Sequence, residues 1–319
     1  MFGSIVVPLD GSPVAAAALP DATVLAETFG AHLILLSVLV PQWTDLGTGD
    51  VFGVTSDVRR EADARAAVAA TDYLENVAAP LRARGIACEV AITHGNPAAE
   101  IIAAAGEDAG TLIVMSTHGY TGFKRLRLGS VAQHVLRHAA VPTLIVRAPG
   151  DGTRHKRVTV QEVTVTLDRS SLAEVALPVA AHLADAFGIP LVLLSVLPDL
   201  ISPTIAYDTA FVPSTIVWGE TDQAEAEQYL ATVAARIATP TRTVRTVWRR
   251  DATSRPDEAI SDYLQERPAG IVVMASHGRG GVLRWVLGST AEGLVTHAPA
   301  PVLIVRADTA PPVNAEARG

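Results

Sequence analysis

Short runs dominated by Val, Ile and Leu alternate along this chain with Ala-rich segments whose apolar positions recur at helical spacing. Continuous apolar runs, rather than alternating ones, are what strands buried on both faces require, so the pattern predicts a parallel sheet covered by helices. In the first half, strands are expected at Ser4 to Leu9, Leu33 to Leu39, Ala87 to Thr93, Thr111 to Met115 and Thr143 to Val146. Helices are expected at Pro13 to Phe29, Arg59 to Arg84, Pro97 to Ala105 and Ser130 to Arg137. Ser12-Pro13 suits an N-cap and first turn, because Ser accepts an orphan N–H and Pro has none to satisfy. The second half repeats the plan, with strands near Val163 to Leu167, Leu191 to Leu197, Thr243 to Trp248, Gly270 to Met274 and Val302 to Val305.

The repetition is of sequence as well as pattern. Ser12 to Leu39 lies over Ser170 to Leu197 without a gap and with more than half of the positions identical. Leu136-Arg137-His138 and the strand ending at Arg147 answer Val295-Thr296-His297 and the strand ending at Arg306. A unit this long is a whole domain, not a solenoid repeat. The turn-rich Ala148 to Thr153 marks the break, giving domains over 1–148 and 157–307, a linker over 149–156 and a tail over 308–319. Residues Pro41 to Asp57 and Pro198 to Gly219 read as long irregular segments; Trp43 and Phe52, or Tyr207, Phe211 and Trp218, are candidates to cover a ligand or pack on the neighbouring domain.

Charge and composition narrow the function. A net charge of −8 without a sustained basic face argues against general nucleic-acid binding. No apolar run reaches the roughly 20 residues of a membrane helix, and strand-like sequence begins at Gly3 with no basic leader, so a cytoplasmic protein without membrane contact is expected. Cys88 is the single cysteine, which excludes an internal disulfide and a cysteine-rich metal site.

The chemistry concentrates in one spacing that occurs twice. Ser116-Thr117-His118-Gly119, nine residues, then Gly129-Ser130 returns as Ala275-Ser276-His277-Gly278, nine residues, then Gly288-Ser289. Small residues let backbone N–H groups approach a phosphate, and Gly-Ser then opens a helix whose N-terminus carries about half a positive charge. The spacer holds Lys124, Arg125 and Arg127 in one copy and Arg279 and Arg284 in the other, with no acid in either. Doubly wound sheets bind ligands at the carboxyl ends of their strands, beside strand one, where Asp10 and Asp168 stand. An aspartate there serves a ribose hydroxyl or an adenine amino group, or it serves its own turn. His134 and His138 have a metal-compatible spacing, but Gly293 replaces the first in half two; His138 and His297 read better as helix C-terminal residues.

These residues resemble the universal stress protein family in its tandem form, through the Asp-bearing end of strand one and the Gly-x-x-Gly, nine residues, Gly-Ser motif of its ATP-binding branch. The resemblance covers nearly the whole chain. It implies two domains of adenine nucleotide alpha hydrolase-like α/β fold, each a five-stranded parallel sheet ordered 3-2-1-4-5 with helices on both faces, paired through their last strands. Carried over, adenine and ribose contacts fall to Pro8, Asp10 and Val38, and phosphate and ribose contacts to Met115, Ser116, His118, Gly119, Gly129, Ser130 and Val131. The half-two equivalents are Thr166, Asp168, Val196, Met274, Ala275, His277, Gly278, Gly288, Ser289 and Thr290. The ligand so implied is ATP, or another adenine nucleotide such as AMP or cyclic AMP, with Mg as a candidate companion.

Three departures weigh on the sites. The first motif glycine is Ser116 or Ala275, which obstructs binding if that position needs positive φ; Gly95 of Gly95-Asn96-Pro97 gives way to Ser254; and Gly11 becomes Arg169. The leading expectation is a nucleotide-binding stress or regulatory protein acting on a protein partner. The alternatives are a weak ATP hydrolase, or a self-phosphorylating protein using Ser130 or Ser289, and a nucleotide-free interaction module. Pairing within one chain and a homodimer of chains both remain open.

Overall fold

The computed structural model describes residues 2–40, 56–117, 128–148, 160–198, 220–251, 255–267, 270–276 and 287–306. The first half runs β1 (Ser4–Pro8), α1 (Pro13–Ala16), α2 (Leu19–Phe29), β2 (His32–Leu39), α3 (Ser56–Ala83), β3 (Cys88–His94), α4 (Pro97–Ala105), β4 (Thr111–Ser116), α5 (Ser130–His138) and β5 (Thr143–Val146). The second half runs β6 (Glu162–Thr166), α6 (Ser171–Glu174), α7 (Leu177–Phe187), β7 (Leu191–Pro198), α8 (Glu220–Ile237), β8 (Val244–Asp251), α9 (Pro256–Gln265), β9 (Gly270–Ala275), α10 (Ser289–His297) and β10 (Val302–Val305).

The helix expected over Pro13 to Phe29 is two helices. Pro20 lacks an N–H and its ring crowds the carbonyl of residue 16, so α1 closes with Ala17 N–H to Val14 O and Ala18 N–H to Ala15 O before α2 starts. Pro178 divides α6 from α7 in the same way. Helix α3 begins at Ser56, inside the segment expected to be irregular; residues 41–55, 149–159, 199–219 and the tail from 307 lie outside the described residues.

All ten strands join one sheet, in the order β3-β2-β1-β4-β5-β10-β9-β6-β7-β8. Each half is parallel and ordered 3-2-1-4-5, and the halves meet through the antiparallel pair β5–β10, with Leu303 opposite Leu144. Alternate residues of each strand face opposite sides, so the sheet feeds two apolar layers. One face packs under α2, α3, α7 and α8, through residues such as Leu25, Leu74, Leu183 and Leu230. The other packs under α4, α5, α9 and α10, through Ile101, Val135, Ile260 and Leu294. Among the described residues no helix is long and apolar enough to cross a membrane.

Two further contacts lock the halves together. Arg147, just past β5, donates from Nη1 to His297 O at 3.2 Å, and Arg306, just past β10, donates to Arg137 O at 2.9 Å. Each half thereby caps the C-terminus of the other's last helix, where unsatisfied carbonyls carry partial negative charge. On the opposite face Phe29 of α2 stacks on His182 of α7, with ring centroids 5.4 Å apart and planes 12° apart, and meets Phe187 edge-on.

The His182 contact makes the joined state sensitive to acid. Its Nε2 is buried without a hydrogen-bond partner among the described residues, and burial holds its pKa below the ordinary histidine value. The unfolded chain, with a histidine pKa of about 6.5, therefore takes up the proton first as pH falls, and stability drops between that value and the lower folded one. Urea midpoints measured from pH 8 to pH 5 should fall more steeply in the wild type than in His182→Gln, with the two curves parallel above about pH 7. Identical slopes throughout would show that His182 contributes nothing.

Candidate functional site

The carboxyl edge of each half is built from the same parts. In half one, β1 ends at Pro8, and Leu9 N–H still bonds Leu36 O of β2 at 2.8 Å before the chain turns at Asp10 and Gly11. Asp10 Oδ1 accepts the Ser12 N–H at 2.9 Å, and buried Ser12 caps α1 through Ala15 N–H at 3.0 Å. Asp10 is thus a turn aspartate that is also held, exposed, at the strand end. Gly11 has φ of 82°, a left-handed conformation that glycine adopts without cost.

Pro8, Val38 and Met115 lie on one face of the sheet. Val6 and Ile113, each two residues earlier in its strand, pack with Leu36 and Met115 under α4 and α5. Ser116 ends β4 opposite Val146 and is buried. Neither Ser116 nor its counterpart Ala275 has positive φ, so the bulk that replaces the first motif glycine meets no backbone demand.

The residues that flank the motif's nine-residue spacer are tied to the end of the preceding strand. Gly129 N–H bonds Thr117 O at 2.8 Å, and Gly288 N–H bonds Ser276 O at 3.0 Å, so the chain leaves the strand and returns to the same point. The cap of α5 is Gly129 and the cap of α10 is Gly288; neither helix has a side-chain cap bond, and Ser130 and Ser289 are the first helical residues. A serine side chain therefore does not cap either helix. Both caps have φ of −60°, which any residue adopts, and among the described residues a Cβ at Gly288 would meet nothing closer than Ser276 O at 3.4 Å. Neither conformation nor crowding among the described residues requires a glycine at 288. Ser130, Val131, Ser289 and Thr290 are the first two residues of their helices, so their N–H groups have no intrahelical partner.

His118, Gly119, His277 and Gly278, with the basic residues of both spacers and the aromatic residues of both long segments, lie outside the described residues. His134 and His138 stack at 4.1 Å, and His138 Nδ1 donates to His134 O at 2.9 Å; among the described residues no cluster suits a metal ion. In half two a Cβ at Gly293 would sit 2.3 Å from Asp257 Oδ2, so the exchange of His134 for glycine answers the exchange of Ala98 for Asp257 on the helix packed beside it.

Half two keeps the frame and changes its lining. Thr166 and Val196 occupy the strand ends, Met274 and Ala275 are buried, and Asp168 Oδ1 accepts both N–H and Oγ–H of Ser170, at 3.0 and 2.5 Å. Arg169 takes the place of Gly11 with φ of 69°, and its Nη1 reaches Glu225 Oε2 of α8 at 3.6 Å. The cap of α9 is Arg255 without a side-chain bond, whereas Asn96 caps α4 through Ala98 and Ala99 N–H. Two tyrosines absent from the expected site stand near the aspartates. Burial and then the Asp10 charge raise the Tyr73 pKa, while Tyr229 is raised by burial and by donating to Glu174 at 3.0 Å. Both occupy equivalent places, Tyr73-Leu74 and Tyr229-Leu230, and that recurrence was the available signal.

Two doubly wound domains in one sheet make this a tandem protein of the Rossmann-like class. A profile of the Universal stress protein family matches residues 1–147 and again 159–306. The chain belongs to that family. A universal stress protein of Mycolicibacterium smegmatis is 25% identical over 304 residues, 95% of this chain and 96% of its own length. One of Bacillus subtilis is 32% identical over 157 residues, 46% of this chain and all of its own. The solved structure of a universal stress protein from Archaeoglobus fulgidus superposes over 96% of this chain and 98% of its own with a TM-score of 0.66 at 23% identity, a likeness of fold.

Arg169 is a non-glycine residue held in a left-handed conformation, at a cost its 3.6 Å ion pair only partly offsets. Arg169→Gly should raise stability by about 1 kcal/mol, read from urea unfolding. An unchanged or lower midpoint would mean that the contact with Glu225 outweighs the backbone strain.

Proposed function

We propose that the chain is an adenine-nucleotide-binding regulator that takes ATP at the carboxyl edge of each half, more readily in half one. Asp10 and the Val38 backbone serve ribose and adenine, Met115 and Ser116 form the floor, and the amides of Ser130 and Val131 receive phosphate with His118 and Gly119. In half two Thr166, Asp168, Val196, Met274, Ala275, His277, Gly278, Gly288, Ser289 and Thr290 play the matching parts. One observation carries this reading: in both halves a helix with no side-chain cap starts at a glycine pinned to the end of strand four. Its amides and its macrodipole favour an anion.

Binding itself is the activity in this reading. ATP bridges the end of strand one and the start of the last helix, so its occupancy alters the surface offered to a regulatory protein. Magnesium accompanies the phosphates. Residues 149–156 act as the linker between the two units.

The protein as purified should release adenine nucleotide on denaturation, identified by mass spectrometry, and titration calorimetry should rank ATP against AMP and cyclic AMP. Asp10→Ala should weaken the tighter ATP site by about tenfold, close to the value of one charge-assisted hydrogen bond. Phosphate release at the buffer rate fits binding without turnover. No released nucleotide together with no measurable ATP affinity would falsify the proposal and favour the nucleotide-free module.

A further inference from the structure

The expected contacts come from strands one, two and four, yet β3 also brings a polar atom to the same corner. Thr93 lies opposite Val38 in the parallel β2–β3 pair. Ala91, two residues earlier, packs with Ile34 and Leu36 on the face under α4, and strand alternation puts Thr93 on that face beside Val38. Its Oγ1 is buried and has no hydrogen-bond partner among the described residues. A buried hydroxyl left in that state costs free energy unless something outside the fold satisfies it.

The second half shows the same place put to another use. Val196 pairs with Arg249 in the β7–β8 register, so Arg249 is the counterpart of Thr93. Its guanidinium is engaged with its own domain, 2.8 Å from Glu266 and 5.4 Å from the Tyr263 ring centroid. The corner that offers an unpaired hydroxyl in half one is closed by an ion pair in half two.

We infer that the Thr93 hydroxyl is a further contact for the base of the bound nucleotide in half one, and that its replacement by Arg249 makes the two crevices unequal in base recognition. The inference rests on the nucleotide reading above and names a residue that reading does not include. A hydroxyl donates and accepts, so it can meet either a ring nitrogen or an exocyclic amine on the edge of the base next to Val38. Its position on the strand, rather than in the loops, fixes it before the ligand arrives.

Thr93→Val removes the hydroxyl and keeps the shape. With half two silenced by Gly288→Glu, calorimetry should show ATP binding weakened about tenfold in Thr93→Val, and inorganic tripolyphosphate, which has no base, bound as before. Thr93→Ser should stay within about twofold of the parent for ATP. The thermal midpoint of ligand-free Thr93→Val should be equal to or above that of the parent, because an unpaired buried polar group has been removed. Unchanged ATP affinity in Thr93→Val, or equal weakening of ATP and tripolyphosphate, overturns the inference and leaves the nucleotide reading standing. A parent chain that binds no ATP overturns both.

Discussion

Everything in this architecture depends on pairing β5 with β10. Each is a four-residue strand, largely apolar and buried along its length, at the edge of its own five-stranded sheet. Left open, either would expose a row of unpaired N–H and C=O groups flanked by apolar side chains. Joined antiparallel, they satisfy each other and turn two sheets into one. Since α5 leads into β5 and α10 into β10, the pairing brings the C-terminal ends of both helices to the seam. Arg147 and Arg306 cross it to cap those ends. The N-terminal, electropositive ends lie beside the carboxyl ends of β4 and β9, so one seam orients both candidate phosphate sites.

Within that frame the halves have diverged by local compensation. Where half one has Gly11 and Ala16, half two has Arg169 and Glu174, and the new charges are taken up by α8 through Glu225, Tyr229 and Arg236. Where half one has Ala98 against His134, half two has Asp257 against Gly293, a large-for-small exchange across α9 and α10. Thr93 and Arg249 follow the same logic on the outer strands. Each exchange keeps the fold while changing the side chains of one half.

The duplication, the ten strands and the helix-opening glycines were legible because each is a local or periodic signal: apolar runs, a gapless repeat, a fixed spacing. Strand order and the pairing of last strands came from the family resemblance and agree with the sheet. The break between α1 and α2 was legible too, since Pro20 stands inside the run, but the Ala-rich periodicity on both sides masked it. Other features depend on residues far apart in the chain. The caps from Arg147 and Arg306 span about half its length, and the unpaired Thr93 hydroxyl is defined by neighbours on β2 and α4. Arg169 lies between: its exchange for glycine was visible, whereas the left-handed backbone and the partner on α8 needed the fold.

The proposed nucleotide site depends on phosphate binding at the N-terminus of α5. The most direct measurement is a crystal structure of the chain with a non-hydrolysable ATP analogue. It should place the phosphates at the Ser130 and Val131 amides, the ribose at Asp10 and the base against Val38 and Thr93. Nucleotide bound elsewhere, with the N-terminus of α5 untouched, would contradict it.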